Sequence, residues 1–472
     1  PALSQREREP TEERVLLPLP LGEGWGEGVL GYWVRIRESR SDFPDRSEAM
    51  ATGSTIISVT ARQVFSDRGH PGVEATVKTE RGATGVAVCT AGISVGVHEV
   101  QFAYDGGTRW RGKGVQRAVD SVNTVIGPAL LGLDASRQRE VDDAMLNLGG
   151  PDAKLRLGGN ATAAVSAAVL KAGAASLGIP LYQHIGGVNA CIMPVPGVIT
   201  VLGSRRYGSG SRSHPKPSYS LMCYGFGSFG EAAEAAWEAG TEFVQLMRKK
   251  YSLDPRQDFG VVVPPGFVQH DRELWDDMTS VIGRLGYEGK VGIQVDVAAA
   301  TYYEKDKDKF VGLFSREEKS KDDLVELYQS MVKNWPFVIV EDPLDEVDYE
   351  GHALLTRLLG IQVVGDDLFT TNPERVQRGI ELGAANTVLL KVNQIGTISE
   401  AFDMVQLAYR NGYGVMPCSS RGEGADIADY TVGLGTGHLR EGAVGPTGNR
   451  FLKIEAELGS RAKFLGRKGL KP

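Results

Sequence analysis

Residues 337–346 read FVIVEDPLDE. An apolar run from Phe337 to Val340 leads straight into Glu341 and Asp342 and stops at Pro343. A buried strand that ends on two acids is costly unless a cation meets them. The plan recurs along the chain: KVGIQVDVAAA (290–300), IQVVGDDL (361–368), TVLLKVNQ (387–394) and YGVMPCSS (413–420) are short apolar runs that end in polar residues. Amphipathic stretches such as SKDDLVELYQSMVKNW (320–335) and NPERVQRGIELG (372–383) lie between them. Strand and helix alternating at this spacing predict parallel βα units, and their succession predicts an α/β fold of the βα-barrel type.

Upstream the texture differs. TIISVTARQVFS (55–66) and GVEATVKTERGATGVAVCT (72–90) read as strands joined by turns, and ATAAVSAAVLKAGAASLG (161–178) as an Ala-rich helix closed by Gly178 and Pro180. The expected organisation is an extension over residues 1–53, a smaller α+β cap domain over 54–190 and an α/β barrel domain over 191–472. The extension is rich in Pro, Gly, Arg and Glu without periodicity, which reads as a disordered tail ahead of Met50.

Bulk properties remove several function classes. Net charge is −7 and no basic block stands out, so nucleic acid is not expected as a partner. Cys89, Cys191, Cys223 and Cys418 are far apart and form no C-x-x-C pair, which fits a reducing cytoplasm. No apolar run has the length of a membrane span.

In a βα barrel, functional side chains sit at the C-terminal ends of strands. Asp296, Glu341, Asp366 and Lys391 fall there, separated by 45, 25 and 25 residues. Carboxylates brought within about 4 Å repel by roughly 4 kcal/mol per pair at an effective dielectric of 20. A divalent cation or protonation relieves this, and an all-oxygen set points to Mg2+ rather than zinc. Each acid alone could instead cap the next helix. Lys391 reads either as an ion-pair partner of these acids or as a base that takes a proton alpha to a carboxylate.

These residues carry a family resemblance. VGIQVDVAAATYYEKD (291–306), VIVEDPLDEVDYEG (338–351), QVVGDDLFTTNPERV (362–376) and LLKVNQIGTISEA (389–401) resemble the barrel motifs of the enolase (phosphopyruvate hydratase) family. FSDRGHPGVEATV (65–77), RGKGVQRAVDSVN (111–123) and PLYQHIGG (180–187) resemble its cap, and IADYTVGLGTG (427–437) and FLKIEAELG (451–459) its C-terminal part. The resemblance covers about residues 54–466. It implies a cap on a barrel with an atypical first hairpin, a small anionic phosphorylated or phosphonate substrate, and a homodimer or higher homo-oligomer. Asp296, Glu341 and Asp366 then match magnesium ligands, Lys391 the proton-abstracting lysine, and Ser94 in GISVGVHE (92–99) a loop serine that helps hold a second magnesium.

The departures are as informative. In RQDFGVVVPPG (256–266), Phe259 falls where the family carries a glutamate that assists loss of the 3-hydroxyl. A second glutamate is replaced within YSLMCY (219–224), near Ser220 or Leu221. In PCSSRGEGAD (417–426), Pro417 falls at the family's histidine unless the alignment shifts by one, and Ser419, Ser420 and Arg421 are candidates to grip an anion. Arg440, in GHLREG (437–442), replaces a carboxylate-binding lysine with a planar fork. GSRRYGSGSRSHPKPS (203–218) reads either as a solvated loop or as a lid over an anionic group.

The half of the site that removes a proton is kept and the half that expels water is altered. Three readings follow: an enolase-type magnesium lyase acting on 2-phosphoglycerate or a close analogue; a paralogue similar to carboxyphosphonoenolpyruvate synthase of phosphonate biosynthesis; or a non-catalytic binding protein. A retained base beside a metal speaks against the last.

Overall fold

The computed structural model describes residues 53–66, 69–92, 95–208, 215–257 and 259–471. Ser94, Arg212 and His214 and the first 52 residues, with nearly all of the expected extension, lie outside the described residues.

Three strands open the described chain: β1 (Ile56–Phe65), β2 (Pro71–Thr79) and β3 (Thr84–Thr90), paired antiparallel in sequence order. Helix α1 (Gly159–Leu177) packs against this meander. Its alanines let it approach closely: a Cβ on Gly85 in β3 would sit 2.0 Å from the Ala168 carbonyl oxygen. The helix ends where the sequence predicts, with Gly178 at φ 66°, a left-handed conformation that glycine adopts without strain.

A ten-stranded sheet follows. Its strands are β4 (Val195–Leu202), β5 (Ser218–Cys223), β6 (Pro255–Gln257), β7 (Gly260–Val262), β8 (Val291–Asp296), β9 (Phe337–Glu341), β10 (Gln362–Gly365), β11 (Thr387–Leu390), β12 (Gly414–Pro417) and β13 (His438–Leu439). Neighbours run in the order β12-β11-β10-β9-β8-β5-β4-β7-β6, with β13 beside β4. Strands β8 to β12 are parallel, whereas β5 is antiparallel to both β4 and β8, so the barrel opens on a hairpin. Between the strands lie helices α2 (Phe229–Tyr251), α3 (Arg272–Arg284), α4 (Lys321–Asn334), α5 (Tyr349–Leu359), α6 (Pro373–Leu382) and α7 (Ile398–Arg410). Local chemistry sets their starts: Ser320 and Asp323 form a capping box on α4, and Asn372 accepts from the Glu374 N–H at 2.8 Å on α6.

Buried polar contacts join the meander's helical layer to the barrel. The Asp142 carboxylate accepts from Ser166 Oγ at 2.6 Å, Ser399 Oγ at 2.7 Å and Ser399 N at 3.0 Å. Lys154 reaches Glu400 at 2.7 Å and the Ile395 carbonyl at 2.9 Å.

Deep in the barrel, His438 is held neutral by its surroundings. Its Nδ1–H donates to the Thr436 carbonyl at 3.3 Å, and its Nε2 accepts from Gln362 Nε2 at 2.6 Å. Burial lowers its pKa from 6.5 to about 4. The unfolded chain therefore binds this proton first as pH falls, so stability is complete above pH 6.5 and declines from there toward pH 4. The contribution lost is about 3 kcal/mol. Urea midpoints measured across this window should fall more steeply for the native protein than for His438→Gln; equal slopes would remove His438 as the cause.

Candidate active site

Strand pleating selects what faces the barrel interior, because side chains alternate with period two. Ile339, Val364, Leu389 and Met416 form one apolar inner layer with Val195 and Met222. Two residues further along the same strands come Glu341, Asp366, Lys391 and Cys418, all buried at the barrel mouth. Asp296 ends β8 in register with Glu341 on β9. The mouth is also reached by Arg440, which follows β13, and by Lys216, which precedes β5.

Glu341 is met by Arg440. The guanidinium Nη1 donates to Glu341 Oε1 at 2.9 Å and Oε2 at 3.1 Å, and to Asp296 Oδ2 at 2.6 Å. Arg440 Nη2 points to Cys418 Sγ at 3.0 Å. Lys216 Nζ bonds the same Asp296 oxygen. Lys391 Nζ donates to Asp366 Oδ2 at 2.5 Å, while Gln394 Nε2 donates to Asp366 Oδ1 at 2.8 Å. Arg421 lies in a bidentate pair with Glu99 and is only 1% exposed, and Ser419 and Ser420 are half-buried beside it. On the cap side of that pair a cavity of about 520 Å³ is lined by Val97, Phe102, Tyr104 and Lys113.

The charge states follow from these contacts. Burial raises the Asp366 pKa, but Lys391 outweighs it and the net value is about 2. Burial likewise pushes Lys391 down, and Asp366 more than compensates, so Lys391 is raised. Burial and then Arg440 lower Lys216 to about 8. Asp367 is pushed up to about 8 by burial and by Asp366, and Asp342 is raised well above its ordinary value by burial and by Asp367.

Glu341, Asp342 and Asp366 bring one carboxylate oxygen each within 4.8 Å of one another and could hold a metal ion. Six buried acids (Glu99, Asp296, Glu341, Asp342, Asp366 and Asp367) face four cations (Lys216, Lys391, Arg421 and Arg440). With every group ionised negative charge is in excess, and the nearby Glu423, whose Oε1 is buried without a hydrogen-bond partner among the described residues, adds to it. Burial first, and the neighbouring acids second, raise the Asp342 and Asp367 carboxyls. Asp367 Oδ1 is also buried without a hydrogen-bond partner. The donor set therefore fits a hard divalent ion. Asp342 also shapes the backbone, since its oxygens accept from the N–H groups of Asp366 at 3.0 Å and Asp367 at 2.8 Å and so fix the turn after β10.

Several of these residues were not legible in the sequence. Asp342 and Gln394 are visible in the motifs, but their roles depend on contacts across strands. Glu99 is brought in by the fold alone, whereas Cys418 lies two residues beyond the inward Met416, where strand period places it. Within the 203–218 loop, Arg206 belongs to neither expected role: it is 2% exposed and forks onto Asp271 at 2.9 and 3.0 Å. Phe259 does not face the acids. Its ring packs on α2, where a Cβ on Gly240 would come 2.9 Å from Phe259 Cγ. Phe259→Glu should therefore bury a carboxylate against that helix and cost about 2 kcal/mol of stability without adding turnover. Thermal melts and steady-state rates check this, and a faster variant would refute it.

The chain matches two family models: "Enolase, N-terminal domain" over residues 56–185 and "Enolase, C-terminal TIM barrel domain" over residues 190–472. It is 41% identical to the enolase of Methanococcus aeolicus over 422 residues, covering 87% of this chain and 97% of that protein. It is 41% identical to the enolase of Methanocaldococcus jannaschii over 87% of this chain and 96% of the relative. The enolase of Thermococcus kodakarensis is 39% identical over 88% of this chain and 98% of its own length. Among the described residues no single helix is long and apolar enough to cross a membrane. With both halves matched and the acids and lysine gathered at one barrel mouth, this chain belongs to the enolase family of lyases.

Proposed function

We propose that the protein is a magnesium-dependent lyase that removes the proton alpha to the carboxylate of 2-phosphoglycerate, or a close phosphorylated or phosphonate analogue, and eliminates water to give phosphoenolpyruvate. The observation that carries this reading is the Lys391–Asp366 contact inside a ring of buried acids. The pair sets the direction of the lysine and holds it as an ammonium, and a cation that took up the Asp366 carboxylate would free it to act as a base.

Glu341 and Asp366, with Asp296 or Asp342 as a third ligand, would hold the cation. When bound, it would stabilise negative charge on the substrate carboxylate. Lys391, as the neutral amine, takes the C2 proton. Arg440 offers its planar fork to the substrate anion, and Arg421, Ser419 and Ser420 belong to the same proposal as further anion contacts. Ser94 belongs to the same proposal as a loop ligand.

The test is a magnesium-dependent assay of phosphoenolpyruvate formation by ultraviolet absorbance, run beside deuterium exchange at C2 in heavy water. Turnover with exchange supports the proposal. Exchange without turnover transfers it to a different product, as in phosphonate chemistry, and the absence of both refutes it.

A further inference from the structure

A second polar site lies between β3, α1 and the segments that follow β11 and β12. Its cavity of about 30 Å³, enough for a guest the size of a water molecule, is bounded by Cys89, Lys171, Asn393, Gly422, Glu423 and Asp426. We propose, independently of the dehydratase reading, that it binds one alkali cation, sodium or potassium, which joins the cap to the barrel.

Three oxygens would hold the ion. Asn393 is 4% exposed, and its Nδ2 donates to the carbonyls of Arg421 at 2.8 Å and Thr90 at 3.3 Å. Two carbonyls on one side fix the amide, because the nitrogen must face them and Oδ1 must then face the other way. Among the described residues this buried Oδ1 has no hydrogen-bond partner, and neither has the buried Glu423 Oε1. The other carboxylate oxygen is used, since Glu423 Oε2 accepts from the Arg421 N–H at 2.9 Å. The third oxygen comes from the backbone. β3 is an edge strand of the meander, and on its open edge Lys171 Nζ donates to the Val86 carbonyl at 2.6 Å. Two residues on, the Val88 carbonyl shares that edge and lies so near Gly422 that a Cβ there would come within 2.7 Å of it.

Charge selects the class of ion. Three cations lie near Glu423, and each is answered by its own acid: Lys171 by Asp426, Arg421 by Glu99 and Lys391 by Asp366. Burial pushes the Cys89 thiol up to about 12, so it stays neutral. Among the described residues the Glu423 carboxylate thus carries one unanswered charge, and burial raises its pKa. A monovalent ion cancels that charge, whereas a divalent ion would leave a positive charge buried. An all-oxygen set with one anionic member suits a hard ion.

Urea midpoints of the full chain, freed of divalent ions and held at constant ionic strength in sodium, potassium or tetramethylammonium chloride, test this. Sodium or potassium should raise the midpoint in a saturating way, and tetramethylammonium, too large for the cavity, should not. Glu423→Gln keeps the shape and drops the charge, and should weaken the apparent alkali affinity at least about tenfold. Should that variant fail to fold, the native protein still decides. Thallium(I) soaked into its crystals should scatter anomalously between Glu423 Oε1, Asn393 Oδ1 and the Val88 carbonyl. Equal midpoints in all three salts, as an ordinary water in the cavity would give, would overturn the site. So would a rise that Glu423→Gln keeps in full, or thallium found only elsewhere.

Discussion

Lys391→Ala should abolish deuterium exchange at C2, with a loss on the order of 10³-fold or more, because no amine then faces the substrate carbon. The effect should be much larger than that on metal binding. Lys391 is a partner of Asp366, not itself a ligand, and its removal leaves the carboxylates of Glu341 and Asp366 in place. Magnesium affinity measured by calorimetry should thus be kept or slightly raised, since a competing cation is gone from Asp366. Exchange that survives in the alanine variant would eliminate Lys391 as the base. A parallel collapse of metal affinity would make it structural.

Asp271→Ala should be the most destabilising single change near the site. Asp271 is fully buried and accepts from Arg206 at 2.9 and 3.0 Å, from the Tyr207 hydroxyl at 2.6 Å and from the Tyr219 hydroxyl at 2.6 Å. Alanine leaves a guanidinium that is 2% exposed without its counter-charge. Breaking a buried ion pair from one side costs about 3–5 kcal/mol. The double variant Arg206→Met/Asp271→Asn removes the stranded charge and should recover most of that loss, which urea denaturation of the three proteins can read. A single variant within about 0.5 kcal/mol of native stability would show the network to be ornamental.

These two effects arise from different levels of the chain. Period-two patterning with acids at strand ends was enough to read β8 to β11 and to place Asp296, Glu341, Asp366 and Lys391 at one mouth. That information is local: an apolar run declares a buried strand, and the residue two beyond an inward side chain points inward too. The end of α1 at Gly178 was equally readable, from the cap chemistry of a few residues.

Contacts between distant segments were not readable in this way. Arg206 looks like a loop cation in sequence and is a buried strut, because Asp271 comes from a segment 65 residues away. The family resemblance sets Phe259 against an acid in the linear motif, yet its ring is turned to Gly240 on α2. Glu99 and Arg421, 322 residues apart, meet only when the cap closes on the barrel. Strand periodicity and end chemistry are thus written in the order of residues. Which cation answers each buried acid was decided only by tertiary structure, since charge pairing depends on distance in space and carries no period along the chain.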